Sequence, residues 1–264
     1  MAQAPDWIAG GPAALRAWRL QTPEVLHPAL PDGVRLTREH GGGIECRPID
    51  PLTGGIVHFH GGGFCVGSPH THRCVGAWIA HVLRRRLWLC PWPLAPEHVL
   101  PTQPAAAVER LEQAVARYGG DLVISGDSAG AAMALWAYAF AEPRLRARVR
   151  GVLLFYGYYG LLPKGGSEAD GLGPKSTRAM MARLDPDGLW DKGFAPLEPD
   201  FRVARTTISI GAALDPLLGN SQALARAHPG IRSILAKDCG HGFLSAVRPS
   251  VRALEALGKA ARWI

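Results

Sequence analysis

The 264 residues carry a net charge of +7, 47% apolar residues and eight tryptophans, enough for a sizeable core, and no Ser/Gly linker divides them. No apolar run approaches the ~20 residues of a membrane span. The basic residues gather at "RRR" (84–86) and "RLRARVR" (144–150) without interleaved aromatics or a recognisable binding module, which excludes a nucleic-acid binder.

A single domain over 1–264 is therefore expected, with both basic clusters as solvated helix ends. The N-terminus "MAQAPDWIAGGPAALRAW" lacks the basic start and continuous apolar segment of a signal peptide, so a cytoplasmic location is expected. Five cysteines (46, 65, 74, 90, 239) form no CxxC pair and read as reduced, buried thiols. The sequence leaves a homodimer open.

In chain order, strands are expected at 34–39, 43–48, 55–59, 87–90, 121–125, 150–156, 205–211 and 231–236. Helices are expected at 71–85, 102–118, 128–141, 217–227 and 247–262 from apolar spacing and alanine content. This alternation predicts an α/β fold, a mostly parallel central sheet flanked by helices. Residues 157–203 break the rhythm with polar, turn-rich sequence and read as an insertion.

The first chemical motif is "GGIVHFHGGGFCVG" at 54–67, where an apolar run meets a histidine and three glycines. It can be a phosphate loop, a metal site, or a set of backbone N–H groups aimed at an anion. The phosphate reading fails on spacing, since Val66 stands where a G-x-G-x-x-G starting at Gly61 needs glycine. The metal reading rests on His58, His60, His70 and His72, but no carboxylate or cysteine accompanies them at a familiar ligand spacing. No metal or cofactor is expected, and His60 is expected to brace the glycine loop.

The second motif decides the matter. G-D-S-A-G at 126–130 lies between a β-branched strand and an alanine-rich helix, the setting of a nucleophile elbow. Ser128 would project above the sheet, and Gly126 and Gly130 would let strand and helix approach. A serine nucleophile needs a base, and the base needs an orienting carboxylate. His241 in "AKDCGHGFL" and Asp215 in "ISIGAALDPLLG" each follow a strand, so both fall on the sheet edge that carries Ser128. Asp187, Asp191, Asp200 and Asp238 are poorer candidates by position, and His27, His40, His81, His98 and His228 follow no strand in the required way. Glycine at 62 and 63 then has a purpose: backbone N–H groups, joined by that of Ala129, can face a developing oxyanion.

HGGGF at 60–64, "PLAPEHVLP" at 93–101, GDSAG at 126–130, DPL at 215–217 and HGF at 241–243, in that order, resemble the hormone-sensitive lipase family of esterases. The resemblance runs from about residue 55 to the C-terminus. It implies an α/β-hydrolase fold, Ser128 as nucleophile, His241 as base, Asp215 as acid, and an oxyanion hole from Gly62, Gly63 and Ala129. It also implies a cap, assigned to about 1–32 and 157–203 and reduced in size. The chain departs from the family at Trp92-Pro93, where Tyr-Arg is usual, at Ala131, where a second glycine is usual, and at Gly219-Asn220, where an acidic residue is usual.

The expected function is a serine carboxylesterase acting on small-molecule esters of short to medium acyl chain. Phe64, Tyr156, Tyr158, Tyr159 and Trp190 are expected as an aromatic wall near the scissile bond. An amidase or deacetylase with the same triad, and a non-catalytic binder on the same fold, are the alternatives.

Overall fold

The computed structural model describes residues 5–264, so residues 1–4 of the expected N-terminal cap segment lie outside the described residues. The chain enters through α1 (Pro12–Leu20) and α2 (Pro23–Leu26), each opened by a proline whose fixed φ suits a first helical turn. The strands β1 (Val34–Arg38) and β2 (Ile44–Pro48) follow. Strand and helix then alternate through β3 (Leu52–Phe59), α3 (Arg73–Leu83), β4 (Arg85–Cys90), α4 (Thr102–Tyr118), β5 (Leu122–Asp127) and α5 (Ala129–Ala139). After α6 (Pro143–Arg146) and β6 (Val149–Phe155) comes a long excursion with α7 (Pro174–Leu184) and a wide turn at Trp190–Phe194. The chain closes with β7 (Thr207–Ala212), α8 (Leu218–Ala227), β8 (Arg232–Ala236) and α9 (Val251–Ala261).

The strands form one sheet in the order β1-β2-β4-β3-β5-β6-β7-β8. β2 runs antiparallel to β1 and β4, and the other contacts are parallel. Each strand lies within a few residues of its expected place. Both faces of a parallel sheet need cover. Ile56 accordingly packs with α3 and α9 in one buried cluster, while its neighbour Val57 joins the other cluster with α4 and α5. Residues 129–137 of α5 are all buried, and the alanines and Gly130 among them let the helix lie close on the sheet.

The first basic cluster departs from expectation. Arg84 does cap α3, but Arg85 and Arg86 open β4. Arg85 is buried and pairs with Asp121 at 3.0 Å, and Arg86 pairs with Glu45 at 2.6 Å. A strand placed at once after the helix leaves no room for a solvated run. In the second cluster Arg144 and Arg146 lie in the last turn of α6 as expected, whereas Arg150 lies in β6 and pairs with Asp121 at 3.1 Å. All five cysteines are buried and unpaired, and burial pushes the Cys65 and Cys74 thiols up to about 11. Among the described residues no helix is long and apolar enough to cross a membrane.

The excursion 157–203 is joined to the N-terminal segment through main-chain groups. Arg183 of α7 donates to the carbonyls of Trp7 (2.8 Å), Ile8 (2.9 Å) and Gly10 (3.0 Å), and the Trp7 indole donates to Ala169 O at 2.9 Å. Asp185 receives the N–H groups of Leu189 and Trp190 at 2.6 and 2.9 Å, which turns the chain after α7.

Candidate active site

Four parallel strands bring their carboxyl ends to one edge, and the site is built there. At the end of β5, Ser128 has φ 52° and ψ −121°, a left-handed conformation that costs a non-glycine residue of order 1–3 kcal/mol. The turn is sharp because strand and helix nearly touch. A Cβ on Gly126 would meet Gly130 O at 2.0 Å, and one on Gly130 would meet Phe59 O at 2.0 Å. Only glycine fits at either place. The Ser128 N–H donates to Phe155 O at 3.0 Å and its carbonyl accepts from Tyr158 N at 3.1 Å, which fixes the turn between β5 and β6.

His241 and Asp215 follow β8 and β7. The imidazole Nε2 lies 2.9 Å from Ser128 Oγ, and Nδ1 lies 2.8 Å from Asp215 Oδ2. Asp215 is buried and its other oxygen accepts the Leu217 N–H at 2.7 Å, so the carboxylate is held before it holds the ring. Asp187, Asp191, Asp200 and Asp238 make no hydrogen bond to the imidazole. An imidazole so placed can take the Ser128 proton while the carboxylate fixes its tautomer. The edge of the Tyr156 ring packs on it, with centroids 5.0 Å apart.

The glycine loop leaves β3 beside this serine. Gly62 has φ +124°, and its carbonyl accepts from Cys65 N (3.1 Å) and Val66 N (3.0 Å) in a tight turn. A Cβ there would meet Val66 O at 2.1 Å, and one on Gly63 would meet the Met180 sulfur at 2.0 Å. Ala129 is the first residue of α5, where N–H groups lack a partner within the helix. Among the described residues, the N–H groups of Gly62, Gly63 and Ala129 have no protein acceptor, so all three are free to receive an anion.

Sequence reasoning missed what lies beneath this loop. Asp127 is buried, and its Oδ1 accepts the Gly61 N–H at 3.0 Å and lies 3.1 Å from His58 Nε2. His58 Nδ1 is 2.8 Å from Ser125 Oγ, a residue directly opposite it in the β3–β5 register. His72 Nε2 stands 3.6 Å from Asp127 Oδ2, and its Nδ1 is 2.8 Å from Thr71 Oγ1. Burial pushes the His60 imidazole down to about 3 and that of His72 down to about 4. Burial works against the charged form of Asp127, but the imidazoles of His72 and His58 hold its carboxyl below the usual range. His60 stacks on Trp92 at 4.8 Å and its Nδ1 lies 2.8 Å from Gly61 O, against the glycine loop as expected.

These contacts bear on metal binding, because the ring nitrogens of His58 face Ser125 and Asp127, and His70 lies apart between Arg38 and Arg73. Among the described residues no three His, Cys, Asp or Glu side chains converge as ligands.

A cavity of about 560 Å³ opens over Ser128 and His241. Phe64, Tyr156 and Tyr158 line it, as do Gly62 and Gly63. Trp190 does not line it: it packs behind Phe64 (6.2 Å) and against Trp136 (5.6 Å), since the turn at Asp185 directs it into the core. Tyr159 is likewise buried in the core, behind a backbone tied to Asn220, whose side chain bonds Tyr159 N (2.8 Å) and both N and O of Leu161 (3.1 and 3.0 Å).

A sheet of this order, with a strained serine turn at its centre, defines an α/β-hydrolase. The family described as the alpha/beta hydrolase fold matches residues 56–245, and the chain belongs to that family. All five motifs that resemble the hormone-sensitive lipase esterases lie within the matched stretch. Among curated proteins the chain is similar to an esterase of Acinetobacter venetianus, 36% identical over 119 residues (44% of this chain, 37% of that protein). It is also similar to the arylacetamide deacetylase of Mus musculus, 30% identical over 125 residues (43% and 31%). The chain thus spans about a third of the length of these relatives. Of solved structures, a Pyrobaculum calidifontis esterase superposes with a TM-score of 0.79 at 20% identity, covering 96% of this chain and 92% of that one. A hormone-sensitive lipase from a metagenome library gives 0.77 at 19%, covering 97% and 91%. At such identities the likeness is one of fold.

Proposed function

We propose that the chain is a serine carboxylesterase acting on small-molecule esters of short to medium acyl chain. The observation that carries this reading is the double hydrogen bond of His241, to Asp215 at 2.8 Å and to Ser128 at 2.9 Å. Ser128 Oγ attacks the ester carbonyl carbon as its proton passes to His241 Nε2. The carbonyl oxygen becomes an oxyanion and receives the N–H groups of Gly62, Gly63 and Ala129. The alcohol leaves with the proton from His241, and water, deprotonated by the same imidazole, releases the acid from the acyl-serine. No metal has a role in this sequence. The whole chain acts as one α/β-hydrolase domain, with the N-terminal segment to about 32 and residues 157–203 as its cap.

The esterase among the similar proteins supports this activity. The arylacetamide deacetylase favours a second reading, amide hydrolysis by the same three residues, in which His241 must protonate a poorer leaving amine. A panel of acyl esters, amides and thioesters, assayed with the native protein and with Ser128→Ala, tests both. Ester turnover should fall at least ~10³-fold in the variant, and an organophosphate should label Ser128 alone. Comparable turnover in Ser128→Ala would reject the assignment.

A further inference from the structure

The cavity over Ser128 has a particular wall. Trp7 and Trp18 come from the N-terminal segment, Met180 and Met181 from α7, and Phe64 and Tyr158 from the loops after β3 and β6. Trp7 and Trp18 meet edge to face at 5.6 Å, and Phe64 and Tyr158 do so at 6.4 Å. The Met180 thioether lies directly over Gly63, where a Cβ would come within 2.0 Å of its sulfur. Aromatic edges and faces and soft sulfur atoms thus surround the space where a substrate must lie.

The basic side chains of this wall are already matched, while Asp170 adds a carboxylate with no ion-pair partner among the described residues. Arg19 is bonded to Glu24 and Thr22, and Asp127 receives Gly61 and His58. Burial holds the His72 imidazole neutral above a pH of about 4. Among the described lining residues no basic side chain is left to receive a carboxylate or phosphate. The occupant therefore carries no anionic group.

An alkyl chain and an uncharged ring bury apolar surface equally well per unit area. A ring also gains the quadrupole and sulfur contacts that this wall offers, which an alkyl chain cannot make. A cavity of about 560 Å³ has the breadth for a ring beside the scissile bond. The geometry points to aryl esters without an anionic group as the substrate class, with the ring held between the Trp7–Trp18 pair and the two methionines. This rests on the esterase reading above.

The ring can belong to the acyl or to the alcohol part, and matched substrates separate the two. Ethyl 3-phenylpropanoate is compared with ethyl hexanoate, and 2-phenylethyl acetate with hexyl acetate, by titrating the released acid so that no aromatic reporter is needed. One aryl ester of the two pairs should exceed its alkyl partner at least tenfold in kcat/KM, and Trp18→Leu should reduce that ratio severalfold. Ratios of one or below in both pairs, or ratios that Trp18→Leu leaves untouched, overturn the inference. Binding of 3-phenylpropanamide and hexanamide to Ser128→Ala, followed by calorimetry, reads the cavity without the chemistry. Tighter binding of the aryl amide together with no ester turnover would sink the esterase reading and keep the aryl site. Equal binding of the two amides, with the alkyl esters hydrolysed as fast as the aryl ones, would do the reverse.

Discussion

The carboxylate of Asp127 accepts the Gly61 N–H at 3.0 Å, so the residue before the proposed nucleophile grips the residue before the proposed oxyanion donors. The two halves of the site are thereby set against each other by one side chain. Losing a single oxyanion donor typically costs about 10²–10³ in kcat, and Asp127→Ala misplaces donors without deleting them. We expect kcat to fall about tenfold or more with KM changed less than about threefold. Asp127→Asn keeps an acceptor and should lose less. Unchanged kcat in Asp127→Ala, measured well below its melting temperature, would dismiss this coupling.

Asp215→Asn tests the orienting role. The amide can still fill the space beside His241 Nδ1 but offers the wrong hydrogen-bonding partner, so the imidazole is held in the wrong tautomer. Ester turnover should drop by about 10⁴-fold while the thermal midpoint stays near that of the native protein. A loss of less than tenfold would show that the carboxylate matters little to the reaction.

The closeness of α5 to the sheet predicts a contrast between two glycines. In Gly130→Ala the new carbon meets the main-chain oxygens of Phe59 and His60 at 2.0 and 2.6 Å, and neither can yield without moving β3. Destabilisation beyond about 3 kcal/mol, or failure to fold, is expected. In Gly120→Ala the nearest atom is the tip of Arg148 at 3.5 Å, and chemical denaturation should find stability within about 0.5 kcal/mol of native. Similar stabilities for the two variants would refute the packing argument.

Acid should loosen the fold before it titrates most carboxylates. His60 and His72 are held neutral by burial down to about 3 and 4, facing Asp127, His58 and Arg19, whereas in the unfolded chain they titrate near ~6.5. Because the folded values lie below the unfolded ones, this stability is complete above about pH 6.5 and is lost as the pH falls towards 4. Each imidazole contributes a slope of about 1 kcal/mol per pH unit in that window. Tm should decline steadily between pH 6.5 and 5, less so in His72→Gln. A flat Tm over that interval would count against the buried neutral pair.

Chain length is checked with a series of ethyl esters. Each methylene that enters an apolar wall contributes about 0.8 kcal/mol, or roughly fourfold in kcat/KM. The rise should end by hexanoyl, and esters of ten carbons or more should be poorer. A maximum at dodecanoyl would mean that the cavity continues into a tunnel.

The sheet and the hydrogen-bonded arrangement of Ser128, His241 and Asp215 were legible in the sequence because each is encoded locally. A β-branched run ending in G-D-S-A-G has few other ways to fold, and Asp215 and His241 follow strands of the same kind. The Asp127 cluster was not legible, because His58, His72 and Asp127 meet only once β3 pairs with β5 and places His58 opposite Ser125. The one available signal was an acidic residue ending a buried strand. α7 was hidden by its own composition: Ser176 and Thr177 stand among its buried residues, which blurs the apolar period. "RRR" misled because adjacent arginines suggest solvent, whereas two of them belong to a strand and have carboxylate partners in Asp121 and Glu45. Trp190 was placed by its residue type, but its direction is set by a turn that composition does not reveal.

The grip of Arg183 on three carbonyls has an evolutionary consequence. Every residue type carries a carbonyl, so substitution at positions 7 or 8 leaves these acceptors in place, whereas position 10 admits only glycine, since a Cβ there would meet Asp6 O at 2.2 Å. Position 7 presents its side chain to the cavity, so a change there alters the wall and gives up the indole bond to Ala169, while the carbonyl it offers Arg183 stays. Selection can recast the wall above the serine one residue at a time, while a single arginine, 173 to 176 positions away in the chain, keeps the scaffold of that wall in place.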